Sequence, residues 1–258
     1  MISTYTGKIA VLISDSADTT AYQQLAEQLA IPMVSLDYAK QTEQEQFFLT
    51  WRDGCLKLLD RELLKKGGLS VDIEPRAGEQ RCYPAPKDGA LARAIGRKTK
   101  TVVDATAGWG QDSLFMFRMG YEVLCLERSP LMAALLNDGL QRLAEQAWLQ
   151  KLHITPPRLL VGNAIELLAR LPQPPDCIYL DPMFEPKRKK SALAKKAMQI
   201  LHELIGQDDD KAQLFEAAFL ATGKRVVVKS PDYAQPLGGK PNESFAGKLV
   251  RYDVYLKG

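Results

Sequence analysis

The sequence predicts an α/β protein built on a doubly wound, mostly parallel sheet, with a smaller α+β segment ahead of it. Three observations carry that prediction. From Thr99 onward, short apolar runs alternate with helical patterns, and such alternation implies parallel pairing with helices on both faces. Within this half, Val102-Val103-Asp104-Ala105-Thr106-Ala107-Gly108-Trp109-Gly110-Gln111-Asp112 has the form strand, glycine loop, helix. An acid, Glu127, closes the next apolar run about 20 residues beyond the loop, the register of a second strand tip.

The first element is a strand at Ile9 to Ile13, followed by a helix near Ala21 to Ala30 and short strand character from Met33 to Leu36. Arg52-Asp53-Gly54, between the runs holding Phe48 and Thr50 and those holding Leu56 and Leu58, predicts a hairpin turn. Leu69 to Glu74 reads as another strand, and Asp88 to Ile95 as a helix capped by Asp88 and ended by Gly96. A division is expected at residues 93 and 94, giving an N-terminal segment 1–93 and a second domain 94–258. In that domain, strands are expected near Val102, Val123, Leu159, Ile178 and Val226. The helices expected between them are Leu114 to Met119, Leu131 to Glu145, Ile165 to Ala169, and Ser191 to Leu220 with a break near Gly206. The alternating stretch Leu249 to Tyr255 suits a final antiparallel edge strand.

The glycine loop restricts the ligand. A dinucleotide site needs a third small residue and room for a pyrophosphate, yet here the third position is Ser113, and Asp104 and Asp112 bring negative charge. A cationic adenosine ligand suits these residues better. S-adenosylmethionine would offer a ribose to Glu127 and an ammonium to Asp104 or the loop carbonyls, while Gly108 and Gly110 let the backbone come close.

A second motif, Cys177-Ile178-Tyr179-Leu180-Asp181-Pro182-Met183-Phe184, again runs from an apolar strand to an acid, a turn and an aromatic. Methylation of a base amine needs an acceptor that orients its N–H groups and a flat apolar surface for the base; Asp181 and Phe184 are of those types. Lys229 and Tyr233 follow the buried run Val226-Val227-Val228 at the same sheet edge and are candidate substrate contacts. Net charge is only +3, which excludes a broadly basic nucleic-acid coat protein. Even so, Lys187, Arg188, Lys189, Lys190, Lys195 and Lys196 cluster just after Phe184, where they would meet RNA phosphates. The four cysteines lack metal-ligand spacing, and the two histidines are isolated, so no metal is expected. No run is long enough for a signal peptide or a bilayer span, and the expected location is the cytoplasm.

Taken together, VVDATAGWGQD, LERSPLMAALLNDGL, YLDPMF and KRVVVKSPDYAQPL resemble the RsmJ-type methyltransferases over roughly residues 67 to 257. Members of that family use S-adenosylmethionine to methylate the N2 amine of a guanine in 16S ribosomal RNA of the small subunit, on a Rossmann-like class I fold. The resemblance implies cofactor contacts at Gln111 and Asp112, Glu127 and Arg128, Asn163 and Ala164, and Asp181. Two other readings stay open on the residues alone: an amine methyltransferase of another RNA base or DNA adenine, and a non-catalytic RNA-binding protein.

Overall fold

The computed structural model describes residues 8–13, 19–60, 64, 67–74, 83–182 and 210–258. Its N-terminal elements are β1 (Ile9–Leu12), α1 (Thr20–Leu29), β2 (Met33–Val34), α2 (Leu36–Gln41), β3 (Phe47–Arg52) and β4 (Cys55–Asp60). They form a four-stranded sheet in the order β2-β1-β3-β4, parallel except for the β3–β4 hairpin. Asp53 and Gly54 at the hairpin tip both have positive φ, 54° and 71°, as a two-residue turn matched to strand twist requires. Strand character stops at Val34 and does not reach Leu36. Ser35 accepts a hydrogen bond from the Tyr38 amide at 3.3 Å and opens α2 there.

The expected strand from Leu69 to Glu74 is reduced to one bridge between Leu69 and Leu58. Its remaining polar groups find side chains instead of a ladder. Arg142 donates to the Val71 carbonyl at 2.8 Å and Arg118 to the Ile73 carbonyl, pinning the chain across two helices. These belong to the second group of elements, which begins with α3 (Gly89–Ile95), β5 (Thr101–Asp104), α4 (Gln111–Arg118), β6 (Glu122–Glu127), α5 (Pro130–Ala144), α6 (Ala147–Leu152) and β7 (Arg158–Val161). It continues with α7 (Ala164–Leu168), β8 (Cys177–Leu180), α8 (Lys211–Ala221), β9 (Arg225–Pro231), β10 (Glu243–Ala246) and β11 (Val250–Leu256).

These strands form a seven-stranded sheet in the order β10-β11-β9-β8-β5-β6-β7. The five from β9 to β7 are parallel, and β11 joins β9 antiparallel. The final strand is therefore antiparallel as expected but not at the edge, because β10 pairs along its outer side. Asp88 occupies the N-cap position of α3 without making a side-chain cap. Of the helical stretch expected from Ser191 to Leu220, residues 191–209, with the break near Gly206, lie outside the described residues, and α8 accounts for the rest.

One buried cluster is continuous from Ile9, Leu56 and Leu58 of the small sheet to Leu131 and Leu135 of α5 and Cys125 of β6. A second covers the opposite face of the large sheet, with Ile178 and Val226 against Phe215 and Ala218 of α8. Strand order reverses between β5 and β8, so the crevice for a ligand opens at the carboxyl ends of β5, β6 and β8. No helix among the described residues is long and apolar enough to cross a membrane.

Candidate active site

Three strand tips build the site. At the first, Asp104 ends β5 and turns inward, only 2% exposed. Its carboxylate accepts a 2.5 Å hydrogen bond from Ser113 Oγ and a 3.1 Å bond from the Thr106 amide. Burial pushes its pKa up to about 7 against the opposing pull of the Ser113 bond. Asp104 thus braces the loop from beneath and does not present its carboxylate to the crevice. Ser113, conspicuous in the sequence only as a missing glycine, supplies that brace.

The two glycines differ in their reasons. A Cβ at Gly110, which caps α4 with φ 70°, would lie 2.4 Å from the Leu136 side chain, so this position is closed by packing. A Cβ at Gly108, φ 51°, would meet nothing nearer than the Thr106 carbonyl at 3.9 Å, so its backbone borders open space. Between them, Trp109 packs on the core with its indole Nε1 buried and without a hydrogen-bond partner.

At the second tip, Glu127 is 8% exposed. Its Oε2 accepts from the Gly108 amide at 2.8 Å and its Oε1 from the Ser129 amide at 2.7 Å, tying the glycine loop to the start of α5. Arg128 pairs with Asp210 at 3.4 Å. Asn163 and Ala164 lie beside this tip, since the Gly162 amide donates to the Glu127 carbonyl at 2.9 Å. Asn163 Oδ1 accepts from the Ile165 amide at 2.9 Å and caps α7, so the side chain is committed to the helix.

The third tip joins the first through a cation. Lys229 Nζ donates to Asp112 Oδ2 at 2.6 Å and to Asp181 Oδ2 at 2.7 Å. Tyr179 donates its hydroxyl to the same Asp112 oxygen at 2.7 Å, and the Asp181 amide donates to Thr106 Oγ1 at 2.7 Å. Burial works against the Lys229 charge, but Asp181 and Asp112 together outweigh it and hold the pKa above the ordinary lysine range. The same acids and, above all, burial raise the Tyr179 pKa. Tyr179 and Thr106 escaped sequence reading, although Tyr179 sits two residues before Asp181 and so shares its side of the strand.

Among the described residues, no group of three or more His, Cys, Asp or Glu could hold a metal. Tyr233 stands half-buried in the turn after β9, while Phe184, Lys187, Arg188, Lys189 and Lys190 lie outside the described residues. A separate cavity of about 560 Å³ opens at the opposite, amino-terminal edge of the sheet, where Lys87, Arg97, Lys98 and Lys100 surround Glu122.

An open sheet with a glycine loop at its switch point, a buried acid at the next strand tip and an acid-proline turn bonded to that loop defines the Rossmann-like class of S-adenosylmethionine-dependent methyltransferases. The residues fit that cofactor, with an acid at the second strand tip and an open glycine backbone beside it. Similarity to known proteins agrees. The family described as "Putative SAM-dependent methyltransferase" matches residues 33–257. The chain is 39% identical over 251 residues to Ribosomal RNA small subunit methyltransferase J of Aeromonas salmonicida, spanning 95% of this chain and 96% of the relative. It is 36% identical over 253 residues to the protein of the same name from Coxiella burnetii, spanning 96% of each. A solved SAM-dependent methyltransferase from Neisseria gonorrhoeae superposes with a TM-score of 0.69 at 30% identity, over 96% of this chain and 95% of that one. The chain belongs to the ribosomal RNA small subunit methyltransferase J family of S-adenosylmethionine-dependent methyltransferases.

Proposed function

We propose that the protein methylates the exocyclic N2 amine of a guanine in 16S ribosomal RNA of the small subunit. The observation that carries this reading is Asp181 at the carboxyl tip of β8, anchored through its amide to Thr106 and through its carboxylate to Lys229. S-adenosylmethionine, when bound, supplies a methyl group already activated by the positive charge on sulfur, so the protein's task is chiefly alignment. Glu127 accepts the ribose hydroxyls, the Gly108 backbone and the loop carbonyls border the rest of the cofactor, and Gln111, Asp112, Arg128, Asn163 and Ala164 complete its surroundings. Asp181 accepts an N–H of the amine, orients the nitrogen lone pair, and with solvent takes the proton released. The charge on Lys229 favours the ionised, accepting form of Asp181.

In this reading Phe184 stacks on the base, Tyr233 lines the approach, and Lys187, Arg188, Lys189 and Lys190 meet the phosphates. The N-terminal segment, expected as residues 1–93, ends before α3, because that helix packs on β9, β10 and β11 of the large sheet; in this reading the segment ahead of it recognises the RNA. Work on ribosomal RNA would put the protein in the cytoplasm with the small subunit as its partner. The test is single-turnover methyl transfer to ribosomal RNA from cells lacking the protein. Asp181→Ala is expected to slow transfer roughly 100-fold or more while changing cofactor affinity much less. Equal rates for the variant and the unaltered protein would remove Asp181 from the chemistry.

A further inference from the structure

We propose that Lys229 and Asp181 act as a pair that reads the Watson–Crick edge of guanine, Lys229 donating to O6 while Asp181 accepts from N1–H and N2–H. This specificity role rests on the reading of a guanine N2 amine as methyl acceptor, and it assigns Lys229 a contact with the base itself.

The argument begins with donor arithmetic. A lysine ammonium has three N–H donors. Two are taken, by Asp112 at 2.6 Å and Asp181 at 2.7 Å, and no acceptor among the described residues takes the third. The Lys229 side chain is 22% exposed and that of Asp181 37%, so both reach the crevice, and an incoming acceptor can meet the remaining donor. The ammonium is also held in place. Asp112 is fixed from below by the Tyr179 hydroxyl at 2.7 Å, and β9 carries Lys229 between β8 and β11 in the middle of the sheet. A fixed cation in hydrogen-bond contact with a carboxylate therefore stands at the tip where the amine must be presented.

Guanine displays on one edge an acceptor, O6, next to two donors, N1–H and N2–H. A cation followed by a carboxylate is the complement of that order. Adenine displays the reverse, an N6 amine beside an N1 lone pair, so the ammonium would face a donor and the carboxylate a lone pair. A site built to hydrogen-bond a substrate group rejects an analogue lacking it, because its own polar groups are left unpaired. Neutralisation of Asp112 alone would explain a single contact to Lys229, but it would not require the ammonium to sit in the crevice against Asp181.

The test compares the target guanosine, located first by mapping the methyl group, with 2-aminopurine placed at the same position in ribosomal RNA. This analogue keeps the N2 amine but lacks both O6 and the N1 proton. In single-turnover assays the unaltered protein is expected to methylate guanine roughly 100-fold faster than 2-aminopurine, and Lys229→Met to shrink that ratio roughly tenfold or more. Equal rates on both bases with the unaltered protein overturn the proposal without any need for the variant to fold. An unchanged ratio in Lys229→Met, with both rates lowered alike, also overturns it and leaves Lys229 as a support for Asp181. Failure to methylate the guanine RNA at all would sink the functional reading itself, and the proposal with it.

Discussion

Glu127 shows how one carboxylate serves two ends. Its spacing from the glycine loop marks it as a candidate ribose acceptor, but its grip on the Gly108 and Ser129 amides emerges only once the strands are paired. Replacement by alanine would strand two amides as well as remove the acceptor. Glu127→Ala is therefore expected to weaken S-adenosylmethionine binding by about 2–3 kcal/mol and to lower folding stability by about 1–3 kcal/mol. Glu127→Gln keeps one amide oxygen and the side-chain shape, so it should lose affinity with a smaller loss of stability. Calorimetry and urea unfolding separate the two effects, and full affinity in Glu127→Ala would exclude the ribose role. Ser113 and Lys229 were less legible for a shared reason. Each bonds a residue distant in sequence, Asp104 nine positions away and Asp181 forty-eight, and no local pattern announces such a partner.

Among the elements, those with a clear apolar run or turn signal were read correctly, β5, β6, β8 and β9 and the β3–β4 hairpin among them. The elements missed are short, with α2 and α6 at six residues each and β10 at four mostly exposed residues. Their few residues carry too little periodicity to stand out from loops. The misread stretch from Leu69 to Glu74 fails differently. Its alternation is real, with Val71 buried, but the apolar residue packs on a helix. A Cβ at Gly139 in α5 would stand 2.4 Å from Val71 Cγ1 and 2.8 Å from its Cβ. In an open helix, Gly→Ala stabilises by about 1 kcal/mol. Here the overlap reverses the sign, and Gly139→Ala is expected to destabilise by about 1–3 kcal/mol, as overpacked cores do. Adding Val71→Ala should return part of the loss in urea unfolding, and a stabilised single variant would show that Val71 moves aside freely.

Over the whole molecule, a net charge of +3 conceals opposed edges. The carboxyl edge holds the site and is followed in sequence by Lys187, Arg188, Lys189 and Lys190, whereas Lys87, Arg97, Lys98 and Lys100 gather at the amino edge. If RNA reaches the site along the first cluster, changing those four residues to Gln should flatten the plot of log affinity against log salt, by about 0.7 for each single-strand phosphate that is no longer neutralised. Arg97, Lys98 and Lys100 changed together to Gln serve as the control from the opposite edge, with the slope for a short target RNA expected to hold. The reverse pattern would place the RNA on the wrong side of the sheet for the proposed chemistry. That distribution was visible in the sequence as one run and missed as another, because Lys87 joins Arg97, Lys98 and Lys100 only when β6 lies beside β5.

Trp109 gives the cofactor loop an optical voice. It is one of three tryptophans; Trp51 meets Tyr22 edge-on at 5.1 Å, and Trp148 stands 5.7 Å from Tyr83, both apart from the strand tips that form the site. Only Trp109 is flanked by the glycines at the cofactor position, with an indole N–H buried and unsatisfied. A ligand settling against that backbone alters the polarity around the ring. Tryptophan emission is thus expected to shift on titration with S-adenosylmethionine, and Trp109→Phe to abolish the shift while Trp51→Phe and Trp148→Phe preserve it. Emission that responds equally in all three variants would assign the signal to a change elsewhere in the fold. A responsive Trp109 would let cofactor affinity be followed by light alone, with no label and no RNA present.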